Sequence, residues 1–593
     1  MPHLVAPAYV VLSLLLWAVV AHAQEDGAST VPKKYRVITN RTIQTKPGLP
    51  ALGPAGYRFN DPTFGTRVLR VSDANTRPGF SGRSFTTPSA AHQLAWNAAS
   101  DLFYIRSIDG TFIPYDFNPI TMTVSRILPS ALGNGGLTIA SQVEPQFSFL
   151  SSNVLFGSRQ DPVNDWPIVR QFDFNTLTYA DLVNLGAVTT VLPSTYAGAL
   201  SSSATAPEKL SVMFGGIQDT HYKVAVFQVS PAGANPVILD SRASTITRNG
   251  LAANTNVPLG FFLHHAWIDQ SGRYVLLYPA NATPAPYFVW DLETDSLTQV
   301  SSNATGHDAI GFGRQINQAC CTTSGYDAAQ WQLRTLAAPA STTDLINPVL
   351  APQEVYLADH TSWNNARADT LTPILSASYR YFNDTLNTTP WRAWDDEIVA
   401  IETAAGTAGA TVWRFAHHRS DVSSDGSQAV YFWYLPRAVI SPDGRWAIFT
   451  SNWQKTLGSS VDTDIEPGGA YRCDVFLIAL AKGGVDTFTD DPLSIGSSVV
   501  KAAHVTELRS RIDGLRAQFG LAAFSWTDAI PDSGIAVKAV HISELRTALL
   551  QAYTAAGRTA PAFIDSSLVP AISAIRVVHI QELRDAVIHL ETS

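Results

Sequence analysis

The stretch WIDQSGRYVLLYPANATPAPYFVWDLET, Trp267 to Thr294, spells out a small unit of structure. A strand led by an aromatic meets an Asp-Gln-Ser-Gly turn. A second strand of aromatic and aliphatic residues follows, and a third closes on an x-Asp-x turn. Aromatic and β-branched side chains suit a pleated, half-buried surface, while Gly, Asn and Asp supply tight turns. WNAASDLFYIRSIDGTFIPYDFN (Trp96–Asn118) repeats the pattern, as does ISPDGRWAIFTSNW (Ile440–Trp453) with the following YRCDVFLIAL. Weaker copies are FSFLSSNVLFGSRQ with IVRQFDFNT, LSVMFGGIQ with KVAVFQVS, and the segments opening at His307 and His360.

About seven units recur at a period of roughly 40 to 60 residues, which predicts an all-β fold, a seven-bladed β-propeller over residues 24–490. TRVLRVSD, Thr66–Asp73, is placed to supply a strand to the last blade and close the ring. A pair of β-sandwiches is the competing all-β arrangement, and the repetition favours the propeller.

After Asp490 the texture changes. VKAAHVTELRSRI, VKAVHISELRTAL and IRVVHIQELRDAV recur with His504, His541 and His579 at matching positions. Val505, Leu508 and Ile512 share one helical face, as do Ile542, Leu545 and Leu549. Residues 491–593 are therefore expected to form a small all-α repeat module of three units, suited to attachment, spacing or assembly. In His-x-x-Glu the two side chains share a face, which allows metal binding. A histidine near the helix start as cap or packing group, with Glu and Arg facing solvent or a neighbouring repeat, is the simpler expectation.

Met1–Ala23 carries the apolar run VVLSLLLWAVV and a small-x-small site at Ala21-His22-Ala23, the pattern of a signal peptide. No later stretch is long and apolar enough to span a bilayer. An exported mature chain, at the cell surface, periplasmic or secreted, is the expectation. Forty Lys and Arg against 49 Asp and Glu give a net charge of −9, which disfavours nucleic acid as a partner. Of the three cysteines, Cys473 has Cys320 or Cys321 as a bridging partner, and three buried thiols are the alternative. Asn40, Asn281, Asn303, Asn383 and Asn387 sit in glycosylation sequons, which matter in a eukaryotic host. No G-x-S-x-G elbow, phosphate loop, dinucleotide fingerprint or Cys-x-x-Cys pair is present.

Histidines cluster where first strands should begin: His92 in AHQLAW, His264 and His265 in LHHAW, His307 in GHDAI and His360 in DHTSW. His417 and His418 in RFAHHRS precede another such start. A propeller draws these starts to one channel mouth. Neutral imidazoles there would hold a divalent ion with an open position, or one would act as general base near neutral pH. His264, His307, His360 and His417 are the metal candidates, for Mn, Ca or Zn. His265 and His418 are candidate bases. Gln315 and Gln318 are carboxamide candidates, and Arg314, Arg380, Arg419 and Arg437 are near enough in sequence to pair with a carboxylate. Trp96, Trp267 and Trp363 read as packing between blades.

HHRSDVSSDG…YFWYLPRAVISPDGRWAIFTSNW (His417–Trp453) and FNDPTFGTRVLRVSD (Phe59–Asp73) resemble segments of secreted bacterial seven-bladed propellers, the oligogalacturonate-lyase-like ones among them. The resemblance implies β-elimination on uronate oligomers with a divalent metal held by channel histidines and a glutamine, and carries His360 and His417 over as ligands. The chain departs from that pattern at Pro436-Arg437, where family members show His-Pro. The C-terminal units resemble modules on other exported bacterial proteins. Three functions follow as expectations: a lyase on an acidic polysaccharide with His265, His418 and Arg437 at the chemistry, a non-catalytic propeller binding a cell-surface glycan or protein, and a scaffold working through its helical units.

Overall fold

The computed structural model describes residues 35–591 apart from 36, 78, 120, 128–135, 140–144, 191–195, 217–219, 281–285, 301–307, 320–329, 347–359, 380–392, 405–408, 423–431, 462–470, 481–487, 489–492, 494–498, 529–536, 566 and 570–572. The proposed signal peptide, His307, Arg380, Cys320 and Cys321 fall outside the described residues, as does the side chain of Gln318.

The described strands form seven antiparallel sheets in chain order. Blade 1 spans Phe85 to Arg126, blade 2 Gln146 to Asn184, blade 3 Tyr196 to Asn254 and blade 4 Leu263 to Val300. Blade 5 spans Ala309 to Ile346 and blade 6 Thr361 to His417. Blade 7 joins both ends of the ring: Val439–Ile440, Trp446–Ser451 and Asp474–Ala479 pair onward with Arg67–Arg70 and then Arg58–Asn60. Val68 faces Ile478 and Arg70 faces Phe476 across this closure, so the strand expected from Thr66–Asp73 does close the ring.

Each sheet buries both faces against different neighbours, which a sandwich does not do. Blade 7 residues Leu69, Ile448 and Leu477 pack in one cluster with Phe103 and Phe117 of blade 1. Trp267, Leu276 and Val289 of blade 4 pack with Ile310 of blade 5. The turn after the first strand of blade 4 is made by its acid and glycine. Asp269 accepts N–H groups from Ser271, Arg273 and Tyr274, and Gly272 takes φ +72° to reverse the chain. Asp269 also accepts from Gly313 of blade 5 at 2.8 Å, so one carboxylate caps a turn and joins two blades.

Helices α1 (Ala502–Gln518), α2 (Ala539–Ala555) and α3 (Val577–Glu591) follow the propeller and share an apolar core through Leu508, Leu545 and Leu583. Nδ1 of His504, His541 and His579 each accepts the backbone N–H of the residue three earlier at 3.2 Å. Nε2 therefore carries the proton, and those of His541 and His579 donate to Asp528 at 2.7 Å and Asp565 at 3.0 Å. These imidazoles cap helix starts and clasp the preceding linker. Arg509, Arg546 and Arg584 are buried rather than solvent-facing. Among the described residues no helix is long and apolar enough to cross a membrane.

Candidate functional site

The first strands of blades 2 to 7 and the segment around Leu94 of blade 1 line one narrow central cavity of about 30 Å³, with Leu94, Gln146, Ser201, Trp267, Ile310, Ser362 and Val439 each contributing from a different blade. His264 and His265 stand at its entrance on the strand Leu263–Ile268. Strict alternation would send neighbouring side chains to opposite faces. A register shift between Leu263 and His265 breaks that alternation, and such a bulge re-aims a side chain. The two Nδ1 atoms then lie 2.6 Å apart. One ring must donate and the other accept, so the pair is held in complementary tautomers.

His265 stacks on Trp267, two residues along the same face, at 4.1 Å and 24°. His92 of blade 1 meets the other partners of this group: its ring is 3.7 Å from Trp267 and 6.1 Å from His265. Blades 1 and 4 are not neighbours, so this contact crosses the channel. All three rings are half-buried, and both nitrogens of His92 are shielded from solvent. Trp267, expected only to pack blades together, also forms the platform under two imidazoles. His92 lacked an assigned role in the sequence; its place at a strand start in AHQLAW was the available signal.

A second group spans blades 6, 7 and 1. His360, buried just ahead of the strand Thr361–Trp363, has its ring 6.3 Å from Phe432. The Arg437 guanidinium stands 4.7 Å from Phe432 and 5.4 Å from Trp433, and its Nη1 donates to the Phe432 carbonyl at 2.6 Å. Arg106 of blade 1 covers Trp433 at 4.5 Å. Phe432 and Trp433 are half-exposed. Two cations are thus fixed on two reachable aromatic faces.

His417 and His418 lie elsewhere, at the end of the outer strand Val412–His417 of blade 6. His417 packs on Phe64 and its Nε2 is 3.1 Å from the Gln44 carbonyl. His418 Nε2 donates to the Ser378 carbonyl at 2.9 Å, and its Nδ1 accepts from the Ser420 N–H at 3.0 Å. The His417 ring fastens the segment before blade 1 onto blade 6, and the His418 ring ties the end of the strand to Ser378 of the same blade. Arg419 joins them, donating to the Pro47 carbonyl at 2.5 Å. Burial lowers His417 to about 3, helped by the Arg419 charge, and lowers His418 to about 4.

An unfolded histidine titrates near 6.5, so as pH falls below that value the unfolded chain takes protons the folded one refuses. Stability is expected to be full above pH 6.5 and to fall as pH drops toward 4, by about 2 kcal/mol per ring at pH 5. Thermal melts at pH 7.5 and 5 check this: His417→Gln/His418→Gln should lose much less stability on acidification than the parent, and parallel losses would refute it.

Nowhere among the described residues do three His, Cys, Asp or Glu side chains assemble into a group that could hold a metal ion. The Nδ1 atoms of His264 and His265 face each other, and His417 is on an outer strand. Gln315 is also engaged at both ends: Oε1 accepts from Tyr287 at 2.6 Å, and Nε2 donates to Asp308 and the Tyr278 hydroxyl at 2.8 Å. Arg314 is half-buried and, among the described residues, reaches the Ala368 carbonyl at 3.5 Å. Cys473 is buried, with Sγ 3.6 Å from the Trp433 carbonyl.

No protein-family model matches the chain, and no curated protein sequence matches it. Among solved structures it is similar to an oligogalacturonate lyase in complex with manganese, at 12% identity over 72% of this chain and 98% of that one, with a TM-score of 0.42. An oligogalacturonate lyase from Vibrio parahaemolyticus gives 11% identity over 75% and 98%, with a TM-score of 0.40. TolB from Acinetobacter baumannii gives 13% identity over 47% and 60%, with a TM-score of 0.25. The seven-bladed ring itself rests on the strand pairing of this chain.

Proposed function

We propose that the channel mouth binds an acidic glycan and cleaves it by β-elimination, with His265 as the base. The observation that carries this reading is the cross-channel group of His92, Trp267, His265 and His264, with a tautomer-locked imidazole pair open to solvent. With His264 Nδ1 accepting from His265 Nδ1, the basic nitrogen of His265 is Nε2. It would take the proton α to the uronate carboxylate. The electron pair then forms the C4–C5 double bond as the C4–O bond breaks, and the leaving oxygen recovers a proton from the imidazolium. Arg437, a charge held in an apolar setting, suits the carboxylate whose negative charge grows in that step.

The test is the absorbance of unsaturated uronate after mixing the mature chain with polygalacturonate, alginate or ulvan, with and without added divalent ions. Product is expected from at least one polymer, and His265→Ala should slow its release 100-fold or more. No product from any of them rejects the lyase reading.

Phe432 and Trp433, two reachable aromatic faces beside Arg437 and Arg106, favour a second reading: glycan or protein binding without cleavage. Retention of the same polymers with no product supports it, and passage of all of them through the immobilised chain counts against it.

A further inference from the structure

A cleft of about 360 Å³ opens between the ring-closing strands of blade 7, the last turn of blade 1 and helix α3, lined by none of the channel imidazoles. Its rim carries Tyr57, 38% exposed, whose ring stacks on Phe59 at 6.2 Å and 24°. Phe59 is in turn anchored edge-on by Trp453 at 5.5 Å. The exposed phenol face is therefore held in place by two rings behind it. Arg58, beside it on the exposed side, donates to the Thr121 carbonyl at 2.6 Å, which fixes the guanidinium over the opening.

Arg67 lines the same cleft from the next strand. Arg511 and Arg584 stand behind it on one phenyl ring, 4.1 Å and 4.6 Å from Phe488. Burial, with repulsion from Arg584 and Arg67, lowers Arg511 to about 10, so these cations are close enough to feel one another. Among the described lining residues the single acid is Asp585, buried and accepting from Gln581 Nε2 at 2.9 Å. The cleft thus joins a fixed aromatic face, a surplus of guanidinium and short polar groups such as Thr123 and Gln581.

We propose that this cleft is a binding site for a carboxylated oligosaccharide. The C–H face of a sugar ring rests on Tyr57, carboxylates pair with Arg58 and Arg67, and hydroxyls meet Thr123 and Gln581. A purely apolar ligand would leave these polar groups unpaired, at a cost. The inference shares a ligand class with the proposed function and uses a different place on the molecule.

The test is calorimetric titration of the mature chain with trigalacturonate and with a neutral trisaccharide, beside hydrogen exchange. His265→Ala should keep the cleft's affinity. Tyr57→Ala/Arg58→Gln, both at exposed positions, should weaken it at least tenfold while melting like the parent. Trigalacturonate should slow exchange at residues 57–60 and 577–585, and the neutral sugar should not. An unchanged titration of the double variant, equal binding of the neutral sugar, or protection confined to other segments overturns the proposal. Cleft binding without unsaturated product sinks only the lyase reading; product without cleft binding sinks only this one.

Discussion

Alanine at Arg414 is expected to destabilise the folded chain by about 3–5 kcal/mol, measured by chemical denaturation. Arg414 is wholly buried on the outer strand of blade 6. Its Nε and Nη2 grip both oxygens of Glu397, equally buried, at 2.7 Å and 2.5 Å. Its Nη1 donates to the carbonyls of Asn40 at 2.9 Å and Thr42 at 2.8 Å. Removal leaves a carboxylate without its partner in a place water does not reach, and frees the segment that the fork held. Burial already pushes Glu397 toward protonation, with Arg414 opposing it, to about 7.

The chemistry of the fork sets the controls. Arg414→Lys should recover little, because an ammonium cannot match two oxygens and two carbonyls at once. Arg414→Met/Glu397→Leu should be more stable than Arg414→Ala, since no charge is stranded. A loss under about 1 kcal/mol for Arg414→Ala, or a double variant no better than the single, would show that the pair does not hold the segment.

Such long-range fastening explains which parts of the molecule the sequence reveals. Blade period, turn residues and ring closure are local patterns, repeated enough to be read without coordinates. The segment Asp269–Tyr274 shows why: one acid and one glycine determine a turn wherever they occur at that spacing. The role of His417 is set instead by Gln44, 373 residues away. Nothing in RFAHHRS distinguishes a histidine at a channel from one under an incoming strap.

The bulge before His265 is equally silent. Period-two reasoning puts His264 and His265 on opposite faces, and only the observed register shift brings their Nδ1 atoms together. His92 reached the site by the rule that strand starts gather at the axis, a topological inference that needs no pairwise contact. The sequence therefore locates the neighbourhood of the candidate site well and its membership poorly. Membership depends on excursions such as residues 87–93 and on bulges, which carry no repeating signal.

The helical unit offers the sharpest test of a closed arrangement. Arg509 of α1 stacks on Trp526 at 4.8 Å and pairs with Glu544 of α2 at 3.4 Å. Arg546 of α2 stacks on Phe563 at 4.8 Å and pairs with Glu582 of α3 at 3.6 Å. Arg584 of α3 stacks on Phe488 at 4.6 Å and meets Glu507 of α1 at 3.8 Å. The third contact returns to the first helix, so three like helices form a ring rather than an open stack. In an open stack the terminal arginine has no next unit to hold, and its loss is mild. In a ring, Arg584→Ala should cost as much as Arg509→Ala or Arg546→Ala, about 1–3 kcal/mol each, from lost cation–π contact and the lost pair to a half-buried acid. Hydrogen exchange in 502–518 and 577–591 measures it directly: all three variants should speed exchange in α1 and α3 alike, whereas a mild effect confined to α3 in Arg584→Ala would mean the unit is open.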